Sequence, residues 1–166
     1  MTEIDLHPRM QPTDRHYTLD MVREIAEELV LVVDDAFERL SAVDEDRASE
    51  KPAPHKWSFK EIIGHLIDSA SNNHQRFVRA PAENVFRFPA YEQDYWVSMQ
   101  GYDERSWIEL LELWRAYNHH VAHVMTRIPE EKLRVECLVE SYKPSSLGFL
   151  VEDYLAHLKH HLKALP

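Results

Sequence analysis

The last segment of the chain, Leu147 to Leu165, constrains the fold more than any other stretch. At about 100° per residue, its apolar residues fall on one broad stripe, as on a helix that buries one face. The stripe comprises Leu147, Leu150, Val151, Tyr154, Leu158, Leu162 and Leu165. His161 points into this stripe, and His157 lies at its edge one turn earlier. The segment therefore predicts a helix that carries two imidazoles toward a core.

Each of these histidines, taken alone, is more often a hydrogen-bonded core residue than a metal ligand. Together, His157 and His161 are spaced at i and i+4, which places both rings on one side of a helix, where they can chelate one ion. Two ligands do not complete a metal site. The pair therefore requires a third ligand from another segment.

Two upstream segments carry the same helical periodicity and have start signals. Thr18 is a candidate N-cap for a first helix with a long apolar face. Ser58 and Glu61 form a capping-box pattern that opens a second helix, which runs to about Arg79. His65 lies on the flank of the apolar stripe of this second helix, in line with small polar residues that leave space above it. It is the best candidate for the third ligand.

A third helix is predicted from about Asp103, a plausible N-cap, to Ile128, where Pro129 ends it. It contains another pair spaced at i and i+4, His119 and His123, which could also chelate an ion. The apolar stripe of this helix faces roughly the opposite way. We therefore assign these two histidines to the solvated face.

Residues 80–102 form an unusually long connection between the second and third helices. The connection is rich in aromatic side chains, namely Phe86, Phe88, Tyr91, Tyr95, Trp96 and Tyr102. Connections of this length usually have a function or wrap the domain. A crossover strap that covers one end of a bundle is favoured here over a substrate lid, although one segment can be both. Such a crossover would allow helices 2 and 3 to run parallel.

These patterns predict an all-α protein, a four-helix bundle with a long crossover between helices 2 and 3. Only three glycines and few alternating segments argue against a β architecture. We expect a single domain over residues 18–166, preceded by an extended lead-in over residues 1–17. Residues 129–146 are expected to form a polar loop, and Ser145 or Ser146 to cap the last helix.

Charge and composition exclude several classes of function. The net charge of −10 would repel phosphate backbones, and no stripe of lysine and arginine compensates for it, so we expect no nucleic-acid partner. The single cysteine, Cys137, excludes an internal disulfide and fits a reducing compartment. No apolar stretch approaches the roughly 18 residues of a membrane helix, and the start has no signal-peptide pattern. We therefore expect a soluble cytoplasmic protein.

Three segments together resemble a known family. Residues 57–69 (WSFKEIIGHLIDS), residues 91–96 (YEQDYW) and residues 153–162 (DYLAHLKHHL) are similar to the second helix, the crossover and the last helix of the DinB/YfiT-like superfamily. The resemblance implies a four-helix bundle, often a homodimer, that holds one divalent metal ion on three histidines. Matched position by position, those ligands are His65, His157 and His161, and His160 is a non-ligand.

Three imidazoles would leave at least one position on a metal ion open for water or substrate, which favours catalysis over a structural site. Zinc or nickel suits imidazole ligands best, and manganese and iron stay open. Because superfamily members include thiol-using transferases, the resemblance implies S-transfer with a low-molecular-weight thiol, or hydrolysis, on a small-molecule substrate. The alternatives are a non-catalytic, stress-related or scaffold bundle that keeps the metal for stability, and a bundle without metal.

Two carboxylates are candidates for a supporting role. Glu61 precedes His65 by one helical turn, and Asp153 precedes His157 by the same spacing. Each could accept the free ring N–H of its histidine or act as a catalytic base. A role as a solvent-facing partner of nearby cations is at least as compatible with the sequence.

Overall fold

The computed structural model describes residues 15–140 and 143–166, so most of the predicted lead-in lies outside the described residues. Six α-helices are present in that part of the chain: α1 (Leu19–Leu40), α2 (Glu45–Ser49), α3 (Phe59–Arg79), α4 (Gln93–Gln100), α5 (Trp107–Met125) and α6 (Leu147–Leu162). Three short strands accompany them: β1 (Val85–Phe88), β2 (Glu136–Val139) and β3 (Ser145–Ser146). Short 3-10 turns occupy Ala80–Ala82, Tyr102–Glu104 and Glu130–Lys132.

The four long helices form the predicted bundle. α3 packs against α5 and α6, and α1 packs against the same two helices, so α1 and α3 each lie between α5 and α6. The centre is filled by large apolar side chains with almost no solvent exposure, among them Leu29, Ile63, Leu66, Leu110, Trp114 and Leu158. The apolar stripes that indicated the helices are thus the faces that meet in the core. No helix in the described part of the chain is long and apolar enough to cross a membrane.

Polar caps begin three of the four long helices where the sequence predicted them. The Thr18 hydroxyl accepts a hydrogen bond from the Met21 amide at the start of α1. Ser58 and Glu61 form the full capping box of α3, and the Ser146 hydroxyl accepts from the Phe149 amide at the start of α6. These bonds satisfy amide groups that have no partner within the helix.

The predicted start of the third long helix, at Asp103, is wrong. Asp103 lies within a 3-10 turn, and α5 begins only at Trp107. The Trp107 amide donates to the Glu45 carboxylate at 2.9 Å, so its partner comes from α2. A cap supplied by a residue distant in the chain leaves no local signal in the sequence.

The connections over residues 80–102 and 129–146 contain regular structure that the sequence did not indicate. β1 pairs in parallel with β2, and β2 pairs antiparallel with β3. Cys137 lies on β2, where burial raises the pKa of its thiol to about 12. The thiol is therefore protonated at neutral pH and is a poor nucleophile.

The end of the crossover is hydrogen-bonded to α3 close to His65. Tyr102 donates from its hydroxyl to Asp68 Oδ1 at 2.6 Å, and the Gln100 amide donates to the same oxygen. Gly64 permits this contact, because a Cβ at that position would lie 2.0 Å from Tyr102 Cδ2. The glycine one residue before His65 therefore lets the crossover pack directly on the α3 backbone.

Candidate metal centre

Three histidines from two helices converge within the bundle, where His65 is buried and His157 and His161 are half-buried. His65 comes from α3, and His157 and His161 come from consecutive turns of α6. Their ring centroids are 5.2 Å apart for His65–His157, 4.7 Å for His65–His161 and 4.6 Å for His157–His161. Each residue offers one ring nitrogen, and these three atoms lie within 4.8 Å of one another. The structure thus brings together the three residues that the sequence selected as ligands.

The spacing of the three rings fits a shared metal ion. Two imidazoles on one ion, with metal–nitrogen bonds of about 2.0–2.1 Å and angles between a right angle and the tetrahedral value, have centroids about 4.5–5.2 Å apart. All three measured centroid distances lie in that range. The Nε2 atoms of His65 and His157 lie 3.2 Å apart, which also fits two nitrogens bound to one ion at about 2.0–2.1 Å. Imidazole nitrogens are ligands that zinc, nickel, copper and iron accept.

His65 is the most enclosed member of this cluster. His65 is only 1% exposed, and its Nδ1 atom has no hydrogen-bond partner among the described residues. Burial, reinforced by the nearby His161, lowers the pKa of His65 to about 3. The ring is therefore neutral at physiological pH, which is the form that binds a metal ion.

Neighbouring side chains hold the rings in place. Ser69 Oγ lies 3.4 Å from His157 Nδ1, and the Asn73 side-chain amide donates to the Ser69 carbonyl at 2.9 Å. The Trp57 ring packs 5.0 Å from the His65 ring. Ser69 is one of the small polar residues that, from the sequence, were expected only to leave space above His65. Its position one helical turn after His65, on the same face of α3, was the signal for a contact with the other ligands.

The two carboxylates occupy different settings. Glu61 Oε2 accepts from the Ser58 amide at 2.8 Å, and Lys51 donates to Glu61 Oε1 at 2.6 Å. Glu61 thus caps α3 and pairs with a cation. Asp153 is half-buried on α6, one turn before His157.

A cleft of about 450 Å³ reaches the cluster, because His161 is one of the residues that line it. Apolar side chains of Trp57, Phe59 and Ile62 form one part of its wall, and Lys56 and Lys163 contribute positive charge. None of the described lining residues is acidic, although the chain as a whole carries a net charge of −10. The space beside His161 therefore combines an apolar wall with a cationic rim.

The histidines of α5 do not join this cluster. His123 is exposed, in agreement with its assignment to the solvated face. His119 is half-buried, and its Nε2 lies 2.8 Å from Asp34 Oδ1, which Arg115 also contacts at 2.7 Å. His119 is thus tied to an acidic residue of α1.

Comparison with known proteins supports this fold. A model of the DinB superfamily matches residues 14–165. A protein of Oceanobacillus iheyensis, named as a candidate metal-dependent hydrolase, is 22% identical over 148 residues, which cover 87% of this chain and 83% of that protein. The solved structure of YfiT from Bacillus subtilis, described as a probable metal-dependent hydrolase with an unusual four-helix bundle topology, superposes with a TM-score of 0.78 at 15% identity. It covers 93% of this chain and 88% of that one.

Proposed function

The chain belongs to the DinB superfamily, and from that membership we propose that it is a metal-dependent enzyme that acts on a small molecule in the cleft beside His161. His65, His157 and His161 would hold one divalent ion, with zinc or nickel preferred by imidazole ligands. The observation that carries this proposal is that one of the three histidines lines an open cleft. A metal kept only for stability would need no such access.

Hydrolysis is the reaction that we propose first, because the relatives that this chain resembles carry that description in their names. A divalent ion in such a site supplies Lewis acidity and lowers the pKa of a water molecule toward about 7. The chain contributes a neutral His65 and a His157 ring oriented by Ser69. Trp57, packed on His65, limits the access of bulk water from that side.

The substrate that best fits the cleft is a small anion with an apolar or aromatic part. Lys56 and Lys163 would attract a carboxylate or thiolate, and Trp57 and Phe59 offer surface for an apolar group. This cationic rim also favours the second candidate reaction, transfer to a low-molecular-weight thiol, since such thiols react as thiolates. Cys137 cannot supply that thiolate, because it is buried and its pKa is raised to about 12.

We assign different roles to the two carboxylates. Glu61 is engaged by Ser58 and Lys51 and positions the start of α3. Asp153 is the proposed proton acceptor or orienting group near His157. Asp153→Asn should lower kcat: with metal affinity unchanged if Asp153 is the proton acceptor, and with weaker metal binding if it orients His157. A purely structural role would leave both unchanged in protein that is still folded.

Metal analysis of untagged protein tests the site. We expect one metal ion per chain at the centre, lost in His161→Gln and kept in His160→Gln, its neighbour on the same helix. Substrate screening should use esters that carry a carboxylate, with and without added thiol. Turnover without thiol supports hydrolysis, and turnover that requires thiol supports S-transfer. Full metal content in His161→Gln would refute the three-histidine site. Bound metal without turnover of the esters, both with and without thiol, would favour the scaffold alternative.

A further inference from the structure

A second group of histidines lies on the other side of α3. His74 follows His65 by nine residues on this helix, which corresponds to about 13.5 Å along the axis and half a turn around it. Its ring faces α5, where it lies 4.9 Å from the ring of His120 at an interplanar angle of 87°. The reaction proposed for the centre formed by His65, His157 and His161, called the buried centre below, makes no use of His74 or His120.

We propose that His74 and His120 form a second site for a divalent transition metal ion, which bridges α3 and α5. The centroid distance of 4.9 Å falls within the range of about 4.5–5.2 Å calculated for two imidazoles on one ion. It also falls within the 4.6–5.2 Å found among the three rings of the buried centre. His123, whose ring is 6.5 Å from that of His120, lies outside this range and is not a ligand in this arrangement.

Tyr117 contacts one of the two ring nitrogens of His74. Its hydroxyl lies 3.2 Å from His74 Nδ1, which leaves the other ring nitrogen, Nε2, available for the ion. A histidine whose second nitrogen is engaged by a polar group is the usual arrangement in metal sites.

The second site differs from the first in ligand number and solvent access. His120 is exposed and His74 is half-buried, so water or an external ligand would complete the coordination. Two protein ligands imply weaker binding than three. The net charge of −10 raises the local concentration of cations around the whole molecule. An ion held by one residue from each of two long helices binds only the folded chain and would raise its melting temperature.

Calorimetric titration of untagged, metal-free protein with zinc chloride tests this proposal. We expect two binding events of unequal affinity. His74→Gln and His120→Gln should each abolish the weaker event and preserve the stronger one, and His161→Gln should do the reverse. His119→Gln, next to His120 on the same helix, should preserve both. The two sites can therefore fail independently.

Tyr117→Phe distinguishes positioning from packing. We expect it to weaken the second event up to about tenfold, in line with the loss of an orienting partner, with the melting temperature of the metal-free protein unchanged. The proposal is overturned if the weaker event is absent from the wild-type protein, survives His74→Gln or His120→Gln, or is lost equally in His119→Gln. The last result would mean adventitious binding by surface histidines only.

Discussion

The two histidine clusters on opposite sides of α3 have nearly the same ring spacing and very different surroundings. His65 is 1% exposed and meets two histidines of α6, whereas His74 is half-buried and meets the exposed His120 of α5. The buried cluster has an enclosed nitrogen, His65 Nδ1, without a protein partner among the described residues. The outer pair, His74 and His120, has a tyrosine hydroxyl beside Nδ1 of His74 and is open to solvent at His120.

This difference shows that burial, more than spacing, separates the two clusters. A buried polar atom without a partner costs about 1–3 kcal/mol, so an enclosed imidazole with a free nitrogen is favoured only if something compensates for it. A metal ion would remove this cost only if it bound His65 through Nδ1. An ion bound through Nε2, the atom that lies 3.2 Å from His157 Nε2, would leave Nδ1 to a water molecule. The outer pair carries no such cost, because solvent satisfies it with or without an ion.

Removal of His65 should have the largest effect. We expect His65→Ala to lower the affinity of the buried centre for zinc by at least about 1000-fold, since loss of an orienting partner alone costs about 10–100-fold. The outer pair should keep its affinity. Competition with a chromophoric chelator measures both. His74→Ala, a matched truncation on the same helix, should produce the opposite pattern, and equal losses in the two variants would erase the proposed distinction.

The pH dependence of stability should come mainly from the buried side of α3. Burial raises the pKa of Asp68 to about 6, despite hydrogen bonds from Tyr102 and Gln100. The folded state therefore binds this proton more tightly than the unfolded state. The stabilisation is present below pH 3.8, the ordinary pKa of an aspartate side chain, and is lost as pH rises through about 6, a change of at most about 3 kcal/mol.

Asp68→Asn removes this titration. Chemical denaturation at pH 4, 5.5 and 7 should show that the wild-type protein loses stability relative to the variant as pH rises. Asp103→Asn, at an exposed position, serves as the control. A constant difference between wild type and Asp68→Asn across this range would contradict the raised pKa.

Loss of the Ser69 hydroxyl should have a moderate effect limited to the buried centre. Ser69→Ala removes the contact with His157 Nδ1 and should weaken zinc binding there about tenfold, with no change at the outer pair. Ser71→Ala is the matched control, because that hydroxyl donates only to the Asp68 carbonyl in its own helix. Unchanged affinity in Ser69→Ala would show that the ring of His157 needs no such partner.

The smallest effect is expected at His74, with the opposite sign to that of Asp68. Burial lowers the pKa of His74, so its contribution to stability is present above pH 6.5 and is lost as pH falls through the folded-state pKa. In metal-free protein, His74→Gln should make stability slightly less sensitive to acid below pH 6.5. If His74→Gln changed the pH dependence of the free energy of unfolding more than Asp68→Asn does, the outer pair would be less solvated than its exposure indicates.

Local patterns were sufficient for much of the fold and the buried site. Capping residues and apolar stripes placed three of the four long helices, because these signals come from residues within a few positions of each other. The spacing of His157 and His161 on one helix, and the position of His65 on the flank of another, predicted the cluster that the structure brings together. The start of α5 was missed because its amide is bound by Glu45 of α2.

Helical periodicity was enough to identify the four long helices, apart from the start of α5, and to show which histidines face inward, because it fixes the direction of each side chain relative to its own helix. Which helices pack against each other followed from the tertiary structure alone. It paired β1 with β2, from separate connections, opened the cleft at His161, and set His74 of α3 against His120 of α5. Contacts of this kind depend on how whole faces pack, and no local run of residues encodes the partner that each face will meet.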